Sequence, residues 1–149
     1  MADITVVGGI NIDIEGRPNE ALRREDSNPG KISISYGGVG RNIAENAARM
    51  GGDIAMISVI GKDHMGLGAK EHLKELGVDV SGIERREDET SAIYLSILND
   101  NNDMELAISD MDAVSYTHLR GQKQDMQREG LHTEAGWLIT KRCCQSKDI

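Results

Sequence analysis

Phenylalanine is absent from the 149-residue chain, and one Trp and three Tyr are its only aromatics. Any core must therefore be built from Ile, Val, Leu, Met and Ala, each burying less apolar surface than a ring would. Cysteine is almost absent: Cys143 and Cys144 are adjacent, and neighbouring thiols cannot staple a fold, so nothing points to a secreted, disulfide-bonded domain. No apolar run approaches the roughly 18–20 residues that span a bilayer. Met1-Ala2-Asp3 passes directly into a strand-like run, with no signal-peptide pattern. A cytoplasmic protein with no membrane partner is the expectation. Positive charge is also short, with 17 Lys+Arg against 25 Asp+Glu and a net charge of −8. A polyanion is repelled by that field unless a basic patch intervenes. The pairs Arg23-Arg24 and Arg85-Arg86 are each flanked by acidic residues, so nucleic acid is not an expected partner.

What the chain has in quantity is glycine, 17 residues, which suits tight turns and backbone-lined ligand sites. Ile4–Val7 is short, largely β-branched and followed by Gly8-Gly9, the pattern of a buried strand ending in a turn. The segment 18–30 is polar, holds both prolines and reads as a loop. Lys31–Tyr36 alternates polar and apolar residues, which predicts a strand with one wet face. After Gly37-Gly38-Val39-Gly40, a helix is predicted over Asn42–Met50, stopped by Gly51-Gly52. Ile54–Ile60 reads as a second buried strand and Gly66–Leu76 as a second helix. Ala92–Leu98 and Glu105–Ser109 read as a hairpin around a polar loop. This order is that of a parallel α/β unit carrying a β insertion.

Two stretches carry chemistry. Gly37-Gly38-Val39-Gly40-Arg41-Asn42 lets backbone approach a ligand between a strand and a helix, and free N–H groups there suit a phosphate or sugar hydroxyls alike; a plain tight turn is the competing reading. Ile43 stands where a dinucleotide fingerprint needs its last glycine or alanine, and no Gly-Lys-Ser/Thr follows a glycine-rich loop, so neither common nucleotide motif is present. Asn11 and Asp13 lie just past the first strand's carboxyl end, where open α/β sheets place ligands. An ionised Asp accepts from vicinal hydroxyls and Asn both donates and accepts, although a self-capped polar turn would use the same residues.

Taken together, Gly8-Gly9-Ile10-Asn11-Ile12-Asp13, Asp26-Ser27-Asn28-Pro29-Gly30, Gly37 through Ala44 and Gly61-Lys62-Asp63-His64-Met65-Gly66 resemble the start of a PfkB-type, ribokinase-like carbohydrate kinase. Gly16-Arg17-Pro18, the Asp-Ser-Asn-Pro-Gly segment and Ser109-Asp110-Met111-Asp112 look most like the pseudouridine kinases of that family. The resemblance covers residues 1–112. It implies a Rossmann-like parallel sheet with a β-lid, present as an incomplete, N-terminal half. It also implies ATP-dependent phosphorylation of a sugar or nucleoside hydroxyl, with ATP and Mg2+ as cofactors of the complete enzyme. Asn11 and Asp13 would hold the sugar hydroxyls, and Gly37, Gly38 and Asn42 would complete the pocket. Lys31–Tyr36 with the hairpin Ala92–Ser109 would form the lid, which often doubles as a homodimer interface in this family.

The family's catalytic Gly-Ala-Gly-Asp segment has no counterpart in residues 113–149. Gly51-Gly52-Asp53 comes too early, and Asn42-Ile43-Ala44-Glu45 spells a metal-associated Asn-x-x-Glu only by coincidence inside a helix. No catalytic residue and no metal ligand is therefore assigned, and the chain alone is expected to be inactive; a non-catalytic sugar-binding or lid-mediated association module is the alternative. Ala113–Arg120 reads as an out-of-frame junction, and the tail 113–149 as non-matching or disordered. His64 and His72 are expected to be solvated, and His118, His132, Cys143 and Cys144 match no common zinc spacing. A parallel sheet lacking later strands should leave an unpaired edge, with low solubility or oligomers as the consequence.

Overall fold

The computed structural model describes residues 2–114 and 138–141. The first sheet is built from β1 (Ile4–Val7), β4 (Ile54–Ile60) and β5 (Asp79–Arg85). These run parallel, with Ile4 opposite Ile54 and Ser58 opposite Ile83. Parallel neighbours need a crossover, and α1 (Val39–Arg49) and α2 (His64–Glu75) supply the two. Ala44 of α1 and Ala69 and Leu73 of α2 pack with Val6, Ile54, Met56 and Ile60 in a single core cluster. The β-branched strands expected from the sequence, Ile4–Val7 and Ile54–Ile60, have the predicted bounds. Strand β5 was not foreseen.

The insertion between β1 and α1 forms a second sheet. Strands β2 (Asn11–Pro18) and β3 (Gly30–Gly37) pair antiparallel, and β6 (Ala92–Leu98) and β7 (Met104–Asp110) add to β2 in the order β3-β2-β6-β7. The expected hairpin is present, and Asn11 and Asp13 lie on strand β2 rather than in the polar turn of the competing reading. Ile10, Ile12 and Ile14 alternate with Asn11, Asp13 and Glu15, and that period of two is what a strand requires. The side carrying Ile12, Tyr36 and Ile93 meets the core near the junction of the sheets. Farther out the same side is bare: Ile32 is 76% and Ile34 59% exposed. The expectation of one wet and one buried face on Lys31–Tyr36 is thus corrected, since most of β3 is exposed on both faces.

From β7 the chain returns through a short 3-10 turn, Asp112–Val114, whose Val114 lies against Gly9. Strand β8 (Leu138–Lys141) pairs antiparallel with β1, Ile4 opposite Lys141, so that β5 and β8 are the edge strands of this sheet among the described residues. The readings of His118, His132, Trp137, Cys143 and Cys144 lie outside the described residues. Among the described residues no helix is long and apolar enough to cross a membrane.

Candidate functional site

The site lies where the two sheets join. Register places Asn11 opposite Gly37 and Asp13 opposite Ser35. Asn11 Nδ2 donates to Asp13 Oδ1 at 2.6 Å. A Cβ on Gly37 would overlap the Asp13 carboxylate and stand 2.9 Å from Asn11 Nδ2, so any side chain there must displace the carboxylate. Asn11, Asp13 and Gly37 therefore share one spot, and the self-capped turn is excluded because the Asn11 amide bonds a side chain rather than its own backbone.

Gly38 is the N-cap of α1 with φ 102, and it supplies no side-chain cap. Only glycine adopts that φ without strain. Its missing Cβ would stand 3.1 Å from Ile10 Cα, so the β3–α1 junction packs directly on the β1–β2 junction. Arg41 N donates to Gly9 O at 3.3 Å, and Asn42 N to Gly38 O at 2.8 Å. Asn42 is exposed on the first turn of α1. The predicted residues thus divide between two supports, with Asn11, Asp13 and Gly37 on the second sheet and Asn42 on the helix.

Sequence reading missed two supporting arrangements. In the first, Arg41 is buried at 7% exposure, and its Nη2 donates to Asn42 Oδ1 at 2.6 Å. Its Nη1 meets Glu45 Oε2 at 2.6 Å, and Glu45 also pairs with Arg49 at 2.8 Å and faces His72 Nε2 at 3.8 Å. Burial pushes the Glu45 carboxyl up, but the hydrogen bonds and charges of Arg49 and Arg41 outweigh it and hold the group below the ordinary Glu range. His72 also stacks obliquely on Tyr36 of β3 with ring centroids 5.6 Å apart, so the expectation of a merely solvated His72 is corrected. His64 is exposed, as expected, although it opens α2 rather than lying in a loop. In the second arrangement, Asp63 caps α2 by accepting from Gly66 N at 2.9 Å, and its other oxygen accepts from Ser91 N at 2.6 Å. The spacing of Asp63 and Gly66 signals the cap; nothing in the sequence signals Ser91.

Among the described residues no three His, Cys, Asp or Glu side chains converge as a metal site. A cavity of about 410 Å3 is lined by Ile14, Ile32, Leu95 and Ile97. By strand alternation it opens on the face of the second sheet opposite Asn11 and Asp13.

The sequence matches the profile of the pfkB family carbohydrate kinases over residues 1–130, past the Asp112 at which the visible resemblance stops. It is 36% identical over 128 residues to a pseudouridine kinase of Escherichia coli, covering 84% of this chain and 41% of that protein. It is 34% identical over 109 residues to a guanosine-inosine kinase of Exiguobacterium acetylicum, covering 73% of this chain and 36% of that one. A carbohydrate kinase from Agrobacterium tumefaciens superposes with a TM-score of 0.71 at 29% identity, over 83% of this chain and 40% of that structure. The chain spans about two fifths of the length of these proteins or less.

Proposed function

The chain belongs to the pfkB family of carbohydrate kinases, and on that footing we propose that it is the sugar-binding part of an enzyme that phosphorylates the 5′-hydroxyl of pseudouridine. The observation that carries this is the convergence of Asn11, Asp13 and a side-chain-free Gly37 at the junction of two sheets. An ionised carboxylate with a neighbouring amide suits two adjacent ribose hydroxyls, which donate to it while remaining able to accept. Gly37 and Gly38 let the sugar approach the backbone, and Asn42 on the first turn of α1 is the further residue assigned to the pocket. The second sheet acts as a lid whose placement beside the sugar excludes water from the reacting hydroxyl. The similarity to a pseudouridine kinase and a guanosine-inosine kinase supports a nucleoside over a free hexose.

ATP and Mg2+ serve the complete enzyme, and when bound they supply the phosphoryl group and its charge neutralisation. The sequence contains no Gly-Ala-Gly-Asp segment, which supports the reading that the 149-residue chain by itself binds nucleoside without phosphorylating it. A cytoplasmic setting belongs to the same proposal. The bare outer lid face, with Ile32, Ile34, Leu106 and Ile108 exposed, fits a second copy of the chain, which would bury these side chains in a homodimer. Titration calorimetry with pseudouridine tests the reading: binding that disappears in Asp13→Ala supports it. Phosphorylation of pseudouridine by the isolated chain with ATP would contradict its division of labour, and affinity for ATP alone would contradict the site.

A further inference from the structure

Arg41 is an unfavourable residue where it stands. It lies in the first turn of α1, which carries no acidic residue and where the helix dipole disfavours a cation. Its guanidinium is buried, and Nε has no hydrogen-bond partner among the described residues. A buried cation with an unmet donor costs stability even when one carboxylate pairs with it. Local rules broken in this way concentrate at functional sites.

What Arg41 accomplishes is visible in its two remaining contacts. Nη1 is held by Glu45 Oε2, itself fixed by Arg49 from the next turn. Nη2 is thereby aimed at Asn42 Oδ1, 2.6 Å away. A guanidinium only donates, so the atom facing it must be the amide oxygen. The orientation of Asn42 is chemically forced, and its NH2 group is the end left to donate. On β2 the converse holds: Asn11 spends an amide proton on Asp13 Oδ1, leaving Asn11 Oδ1 and Asp13 Oδ2 as acceptors.

We infer that Glu45 is a positioning residue for the sugar site, acting through Arg41 to hold Asn42 as a dedicated donor. The ligand must then offer an acceptor lone pair to α1 and hydroxyl protons to β2. This rests on the sugar-site reading above and adds the polarity of each wall. A ribose diol satisfies both walls, whereas a 2′-deoxy sugar leaves at least one partner unmet.

The test combines a ligand-free measurement with binding. In 15N spectra of the arginine side chains, the Arg41 guanidinium is expected to show separate, slowly rotating Nη groups in the parent chain. These average together in Asn42→Ala and in Glu45→Gln. A freely rotating Arg41 in the parent overturns the inference whatever the chain binds. For pseudouridine, Asn42→Asp keeps an oxygen for Arg41 but removes the donor, so slow rotation persists while affinity falls at least about tenfold. Glu45→Gln lowers affinity by a similar factor and Glu45→Asp restores much of it. Unchanged affinity in Asn42→Asp, or a Glu45→Gln that loses thermal stability but no affinity, overturns the assignment. If the parent binds no pseudouridine, the proposed function fails, and the guanidinium spectra alone decide the positioning.

Discussion

Replacing Asp63 by Ala should destabilise the chain by removing two ties at once. The carboxylate makes two separate ties, one to Gly66 N at the start of α2 and one to Ser91 N at the entry to β6. Losing an Asp N-cap costs about 0.5–2 kcal/mol. Losing a charge-assisted bond to a partly buried backbone donor adds roughly 1.5–3 kcal/mol. The sum, about 2–5 kcal/mol, is large against the roughly 5–15 kcal/mol that holds an ordinary domain together. Asp63→Asn keeps an oxygen for Gly66 but turns an NH2 group toward the Ser91 N–H, so it should lose more than half as much. Urea denaturation followed by circular dichroism gives both values. The pH dependence adds a second readout. Burial pushes the Asp63 carboxyl up, but the N–H groups of Gly66 and Ser91 outweigh it and hold it below the ordinary Asp range. A depressed folded-state value means that the stabilisation is present above the unfolded value and lost as pH falls through the folded one. Asp63→Ala should therefore flatten the acid limb of the stability curve. A variant within about 0.5 kcal/mol of the parent, with the acid limb unchanged, would refute the two-tie account.

Three further outcomes follow from the site and the lid. Gly37→Ala forces the Asp13 carboxylate aside, a movable side-chain end, so pseudouridine affinity should fall about tenfold or more while stability drops by less than about 1 kcal/mol; calorimetry and urea melts separate the two. Gly38→Ala meets the Gly9–Ile10 backbone at φ 102, and the same melts should show a loss of at least about 1–3 kcal/mol. Ile34→Glu places a charge on the bare lid face and should convert a dimer to monomers in sedimentation equilibrium; a parent that is already monomeric at high concentration counts against the lid interface.

The parallel unit was legible because its strands are continuous β-branched runs and its helices end at glycines. Strand β5 was missed because Asp79, Ser81 and Gly82 interrupt its apolar residues, and it pairs along one edge only, with an irregular register near Ile57. Helix α1 begins at Val39, earlier than expected, since the N-cap Gly38 and Gly40 in its first turn hide the start from propensity. Strand β2 could have been found from the Ile10-Ile12-Ile14 alternation, but Asn, Asp, Gly and Pro within it argue for a turn. Asn11, Asp13 and Gly37 stood out as types, while their contact is set by pairing between residues two dozen positions apart. The Asp63–Ser91 bond spans 28 positions. No local pattern carries such information.

The placement of the site has a mechanical consequence. Asn11 stands at the root of β2, and Pro18 stands at its far end. At about 3.3 Å per residue the strand is a lever arm of roughly 23 Å. A tilt of about 10° around the Gly9–Gly38 contact would shift the ligand atoms by under ~1 Å and the tip by ~4 Å. The tip moves as a single piece, because Arg23 N and Asn28 Oδ1 close its loop at 2.8 Å and Arg17 Nη1 grips Asn102 Oδ1 at 2.9 Å across the sheet. A pair of spin labels, one on this loop and one on α2, would thus read an event at the hinge with severalfold gain.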